Sequence, residues 1–136
     1  MKIILCVEDR NGVTFQGKRL SRDRQVIGDI VRTVGDQRLL LNRYSATLFP
    51  DGSADLTVRE DFLDAAERQD WCFVENHSIN PYSEKVEALI LYRWNRRYPF
   101  DRTLDFDPAE NGLMLREVTE FVGYSHEKIT KEIYEK

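Results

Sequence analysis

The sequence has little with which to build a metal centre: two histidines, His77 and His126, and two cysteines, Cys6 and Cys72, in 136 residues. A structural zinc site takes four Cys or His ligands at close spacings, and no such spacing is here. Each cysteine lies inside an apolar run, where a free thiol behaves as a small hydrophobe, so no disulfide is expected between them. Long hydrophobic runs are missing too. No stretch approaches the ~20 apolar residues that cross a bilayer. The first run, Ile3-Ile4-Leu5-Cys6-Val7, meets Glu8-Asp9 at once, too soon for a signal peptide. A cytoplasmic protein with no membrane partner is the expectation. Positive charge is also in deficit: 20 Lys and Arg against 24 Asp and Glu give a net charge of −4. That argues against a general nucleic-acid coat and leaves room only for a local basic patch. There is no internal repeat and no low-complexity linker. Residues 1–136 therefore read as one domain, with 41% hydrophobic residues to supply its core.

What is present is a set of short apolar runs separated by helical patterns. Residues 3–7 read as a strand buried on both faces. The polar stretch 10–20, with Gly12 and Gly17, predicts a long loop. Ser21 is placed as an N-cap, followed by Val26, Ile27, Ile30, Val31 and Val34 at helical spacing, with Gly35 as the stop. Leu39-Leu40-Leu41 predicts a second strand, ending at Asn42-Arg43-Tyr44. Ser45 is expected to cap a short helix over 46–49, stopped by Pro50-Asp51-Gly52. A short strand over 55–59 and an acid-started helix over 61–68 follow.

The stretch from Trp71 to Trp94 organises the rest. Cys72-Phe73-Val74, a turn at Asn80-Pro81, a helical turn over 82–86 and an apolar run over 88–92 make a β-α-β unit. Residues 114–121 alternate without a clean apolar face and predict a strand, which Gly123 breaks. In the tail, Ile129 and Ile133 fit a helix stripe or one strand face equally well. The whole order predicts a single doubly wound α/β domain, its sheet mostly parallel with antiparallel C-terminal strands. Exposed edges on so trimmed a sheet suit a homodimer.

In an open parallel sheet, ligands bind outside the carboxyl ends of the strands. Those ends would gather Glu8-Asp9, Asn42-Arg43, Glu75-Asn76-His77 and Arg93-Trp94-Asn95-Arg96. The candidate ligand-binding set is Asp9, Asn42, Arg43, Ser45, Glu75, Asn76, Arg93 and Trp94. Arg43 ahead of Ser45 at a helix start suits a phosphate, or is simply a surface arginine beside an N-cap. Glu8, Asp9, Glu75 and His77 are the side chains a hard divalent cation would use, but their spacing is not diagnostic and no metal site is assigned. The segment from Arg93 to Tyr98 interleaves cations and aromatics as a base-stacking platform does, or as a strand end anchored by a half-buried Trp. His126 reads as structural. No catalytic residue and no cofactor is assigned from these residues.

The order of parts resembles the dihydrofolate reductase-like fold family, remotely and over almost the whole chain. Residues 1–7, Gly12-Val13 and Leu20 resemble its N-terminal strand and flexible loop. Leu39 to Phe49, with Asn42-Arg43 and Ser45, resembles its strand-Gly-Arg-x-Thr pattern, and residues 72–92 its strand, Gly-Gly pair, short helix and strand. Residues 115–121 and 125–134 resemble its last two strands. The departures fall on the chemistry. Glu75-Asn76 replaces the Gly-Gly pair, and a carboxylate there repels a pyrophosphate. Asn42 replaces the glycine before the arginine, and the acid of the first helix matches Asp23 only through a gap. Arg43 is the one cofactor-contact position kept. The resemblance implies a shortened scaffold that binds a small ligand or nucleotide without reductase activity. A divergent NADPH-dependent reductase and a metal-dependent nuclease or RNA-associated factor are the alternatives. Short bacterial chains that carry a ribonuclease Z label are similar as well. That activity rests on a His-rich motif that two histidines do not build.

Overall fold

The computed structural model describes residues 1–136, and strand β1 (Lys2–Val7) runs through the middle of its main sheet. On one side of β1 lie β6 (Trp71–Phe73), β4 (Arg38–Leu41) and β5 (Asp55–Val58), all parallel to it. On the other side, β7 (Ala88–Arg93) is parallel, then β10 (Ile129–Glu135) and the edge strand β9 (Met114–Phe121) run antiparallel. The sheet order is therefore β5-β4-β6-β1-β7-β10-β9 in a single mixed α/β domain. The tail is a strand. The unit spanning Trp71 to Trp94 is a parallel crossover through a 3-10 helix, Asn80–Lys85, with β1 filling the gap between β6 and β7.

Period-two alternation splits β1 between two apolar layers. Ile3, Leu5 and Val7 join Leu40, Cys72, Leu89 and Leu91, covered by Phe62, Leu63, Ile79 and Val86. Ile4 joins Leu39, Leu41, Phe73, Ile90 and Tyr92, covered by helix α1 (Arg24–Val34) through Val26, Ile30 and Val34. The first of these layers is covered only by a single-turn helix, the Asn80–Lys85 3-10 helix and loops with Val13 against them, so the winding is lopsided. Helices α2 (Arg43–Ala46) and α3 (Phe62–Ala65) are single turns.

Four local expectations are corrected. Residues 10–20 are not a loop: β2 (Gly12–Phe15) and β3 (Lys18–Arg19) form a hairpin, closed by left-handed Gln16 and Gly17, and β8 (Arg102–Thr103) joins it as a second sheet. The α1 cap is Asp23 rather than Ser21; its carboxylate accepts the Gln25 N–H at 2.8 Å. The cap of the short helix is Asn42 rather than Ser45, so that helix starts three residues earlier than expected. The helix over 61–68 stops at Ala65, because Ala66 turns extended and the Asp70 carboxylate takes the Glu67 N–H at 2.8 Å, drawing the chain into β6.

Candidate functional site

Of the eight predicted residues, the strand ends bring four together. Glu75, just past β6, receives both arms of Arg19 at 2.8 Å and the Ser45 hydroxyl at 2.8 Å. Asn42, at the end of β4, accepts the Ser45 N–H at 2.9 Å and donates to Asn76 Oδ1 at 2.9 Å. His77 lies against the edge of Phe62 with ring centroids 5.1 Å apart. Arg19 and Tyr44 complete the cluster without having been foreseen: the guanidinium stacks 4.1 Å over the Tyr44 ring, and the Arg19 N–H donates to the Tyr44 oxygen at 3.0 Å. A forked pair with every carboxylate partner supplied by the chain is strong, specific and closed to others. The gap it leaves against Cys6, Phe73 and Trp94 is about 20 Å³, room for a single water.

The other four do not converge. Asp9 sits exposed in a turn. Arg43 points its side chain to solvent, and its N–H is given to the Glu60 carboxylate at 2.9 Å, so the anion at this helix start is the chain's own. Arg93 pairs with Glu132 at 3.0 Å and with Asn11 at 3.1 Å. Trp94 is buried and stacks on His126 at 4.7 Å, which removes it as a platform for bases. Glu8, fully buried, spends its carboxylate on the N–H groups of Arg10, Gly12 and Tyr98. The quartet of Glu8, Asp9, Glu75 and His77 is thus not assembled, and no group of three or more His, Cys, Asp or Glu side chains is placed to hold a metal ion.

A second polar cluster lies behind Trp94. Asp23 accepts the Tyr124 and Ser125 N–H groups at 2.9 Å each and His126 Nδ1 at 2.9 Å, besides capping α1. His126 Nε2 faces the Tyr98 hydroxyl at 2.9 Å and Ser21 Oγ at 3.2 Å. Asp, His and Ser in that order resemble a hydrolytic relay. Here, however, Tyr98 is nearer the ring than Ser21, and Trp94 covers the imidazole. The cluster works as a buried fastener between the 124–126 turn and the start of α1. Gly123 fits the same reading: a Cβ there would lie 2.7 Å from the Asp23 carboxylate and 2.8 Å from the His126 carbonyl. Burial alone would raise the Asp23 pKa, but the donors from Tyr124, His126, Ser125 and Gln25 outweigh it and hold the carboxyl well below its usual range.

A larger open concavity lies elsewhere, over the outer face of α1. It is a groove of about 710 Å³ with Ile27, Val31, Leu48 and Pro50 as its apolar floor and Arg22, Arg24 and Arg32 at its rim. Ser53 contributes a buried hydroxyl with no hydrogen-bond partner. Gly28 faces the groove from mid-helix, and a Cβ there would meet only the Arg32 guanidinium at 3.5 Å, an ordinary contact. The fold does not need glycine at this position.

No family model matches the chain, and no curated protein does.

Proposed function

We propose that the chain is a small-ligand-binding protein on a shortened reductase-like scaffold, without redox chemistry, and that its ligand is an anion with an apolar body. The groove over α1 carries this reading. Its size falls in the range of small-molecule sites, its floor is apolar, and its rim holds three cations and no free acid. The scaffold part of the proposal draws support from a parallel sheet that ends in an antiparallel strand pair and from a short 3-10 crossover where the resemblance expects a short helix.

Gly28 provides the test. A mid-helix glycine costs about 0.5–1 kcal/mol relative to alanine. Gly28→Ala is expected to raise stability by that amount in denaturant titrations and to weaken binding of aromatic carboxylates or nucleoside monophosphates. Arg24→Ala should weaken the same binding with little change in stability. If neither probe class binds, or if Gly28→Ala leaves the affinity intact, the groove is not the site.

The reductase reading makes a separate demand. NADPH at ~100 times its dissociation constant would add roughly 2.7 kcal/mol, a shift of several degrees in a melt. We expect no shift, because on the resemblance Glu75 takes the position of the Gly-Gly pair that approaches the pyrophosphate, and its carboxylate is already paired with Arg19. A clear shift would restore the reductase reading.

A further inference from the structure

We propose that two copies of this chain pair through β9, edge to edge and antiparallel, about a two-fold axis at Val118. β9 hydrogen-bonds only to β10, which leaves the backbone groups of its outer edge without sheet partners. At eight residues it is also the longest strand of the sheet, and seven of those eight residues are exposed. Long exposed edges are templates for a further strand. Apolar side chains concentrate here: of the seven large exposed hydrophobics in the molecule, Met114, Leu115, Val118, Val122 and Tyr124 lie on β9 or directly after it. The opposite edge, β5, has four residues and only Val58 among the exposed hydrophobics.

The occupant is argued from the order of side chains along the strand. Set antiparallel to itself about Val118, the regular part of the strand faces Arg116 with Glu120, Glu117 with Thr119, and Val118 with its own copy, while the bulge turns Leu115 and Met114 away from the faces of Phe121 and Val122. Opposite charges meet at two symmetry-related Arg116–Glu120 contacts, and Val118 meets its own copy once, on the axis. Shifting the axis by one residue destroys this. An axis at Glu117 sets that carboxylate against its copy, and an axis at Thr119 faces Val118 with Glu120 and Glu117 with Phe121. The pairing register with β10 is unbroken over 117–121, and its bulge falls at Arg116, so the contact about Val118 draws on the regular part of the strand. The present partners of the two charges, the Lys136 carbonyl for Arg116 and Lys128 for Glu120, are solvent-exposed contacts that exchange readily. An isologous contact of this kind closes as a dimer and does not propagate.

Light scattering after size exclusion, over a concentration series, reads the result. The wild type is expected at about twice the 16.0 kDa chain mass. Val118→Lys brings two cations face to face on the axis, and Arg116→Glu sets carboxylates against Glu120. Both should shift the mass to that of one chain while leaving the circular dichroism spectrum unchanged, since neither side chain is in the core. Arg116→Glu with Glu120→Arg restores the pairing in reverse and should restore the dimer. A wild type that stays at single-chain mass at the highest concentration overturns the proposal. So does a dimer indifferent to Val118→Lys, or a double variant that stays single.

Discussion

Asp23→Ala is expected to cost roughly 3–5 kcal/mol, which for a domain of this size lowers the melting temperature by roughly 10–20 °C. Three losses combine. The Tyr124 and Ser125 N–H groups lose their acceptor inside the protein. The α1 cap is lost. The buried His126 is left without its carboxylate. The same group sets an acid limit on stability. Its folded pKa lies below the ordinary carboxylate value of 3.8. Its contribution is therefore complete above about pH 4 and is lost as the pH falls toward the folded value. Urea midpoints measured from pH 7 down to pH 2.5 should fall steeply below pH 4 in the wild type and less steeply in Asp23→Asn. A variant that loses under 1 kcal/mol and keeps the wild-type acid slope would show that the network does not hold the helix start.

Glu75→Gln is expected to cost roughly 2–4 kcal/mol, somewhat below a fully buried pair because the Arg19 side chain keeps 18% exposure. Removing the charge leaves the Arg19 guanidinium over Tyr44 with no counter-charge. It also replaces one of the acceptors for its two arms with a donor. Replacing both partners by apolar residues, Arg19→Met with Glu75→Leu, should recover most of the loss, since the desolvation of both charges disappears together. The cycle separates two roles for Glu75. A residue that holds the hairpin shows strong coupling to Arg19 in stability, with the chemical denaturation midpoint moving in step. A residue that meets a ligand shows an effect on binding that the double replacement does not repair. We expect the first pattern.

The sheet was legible in the sequence because its inner strands are buried on both faces and therefore lack polar interruption. Leu39-Leu40-Leu41 and residues 88–92 announce themselves as runs. α1 was legible because Val26, Ile30 and Val34 repeat at the helical period. Its start was misplaced by two residues because Ser21 and Asp23 are both good caps, and what decides between them is a turn 101–103 residues further along the chain. Half of the predicted site came together because the strand-end rule is a rule about topology, and the topology holds. Trp94 and Arg93 stand apart from the cluster because each side chain has a partner within the chain that no spacing encodes, and Arg43 because its side chain turns to solvent. Arg19 and Tyr44 were hidden for the converse reason, since only the hairpin turn at Gln16 and Gly17 carries Arg19 back over α2. The groove over α1 could not be read at all. Gly28 looks like a flaw in a helix until its neighbours are seen to leave the space beside it open.

The central place of β1 also bears on how the chain is born. Its two hydrogen-bonding neighbours are residues 71–73 and 88–93, so the strand is made long before either partner exists. At ~5–20 residues per second, roughly 4–17 s of synthesis pass between the end of β1 and the end of β7. Until residues 71–73 emerge, Ile3-Ile4-Leu5-Cys6-Val7 is a sticky, unpaired segment with high β-propensity, and one of its edges stays open until β7 follows. Such non-local closure is intrinsically slow. The strand at the centre of the finished sheet is therefore among the last to have both its edges paired during synthesis.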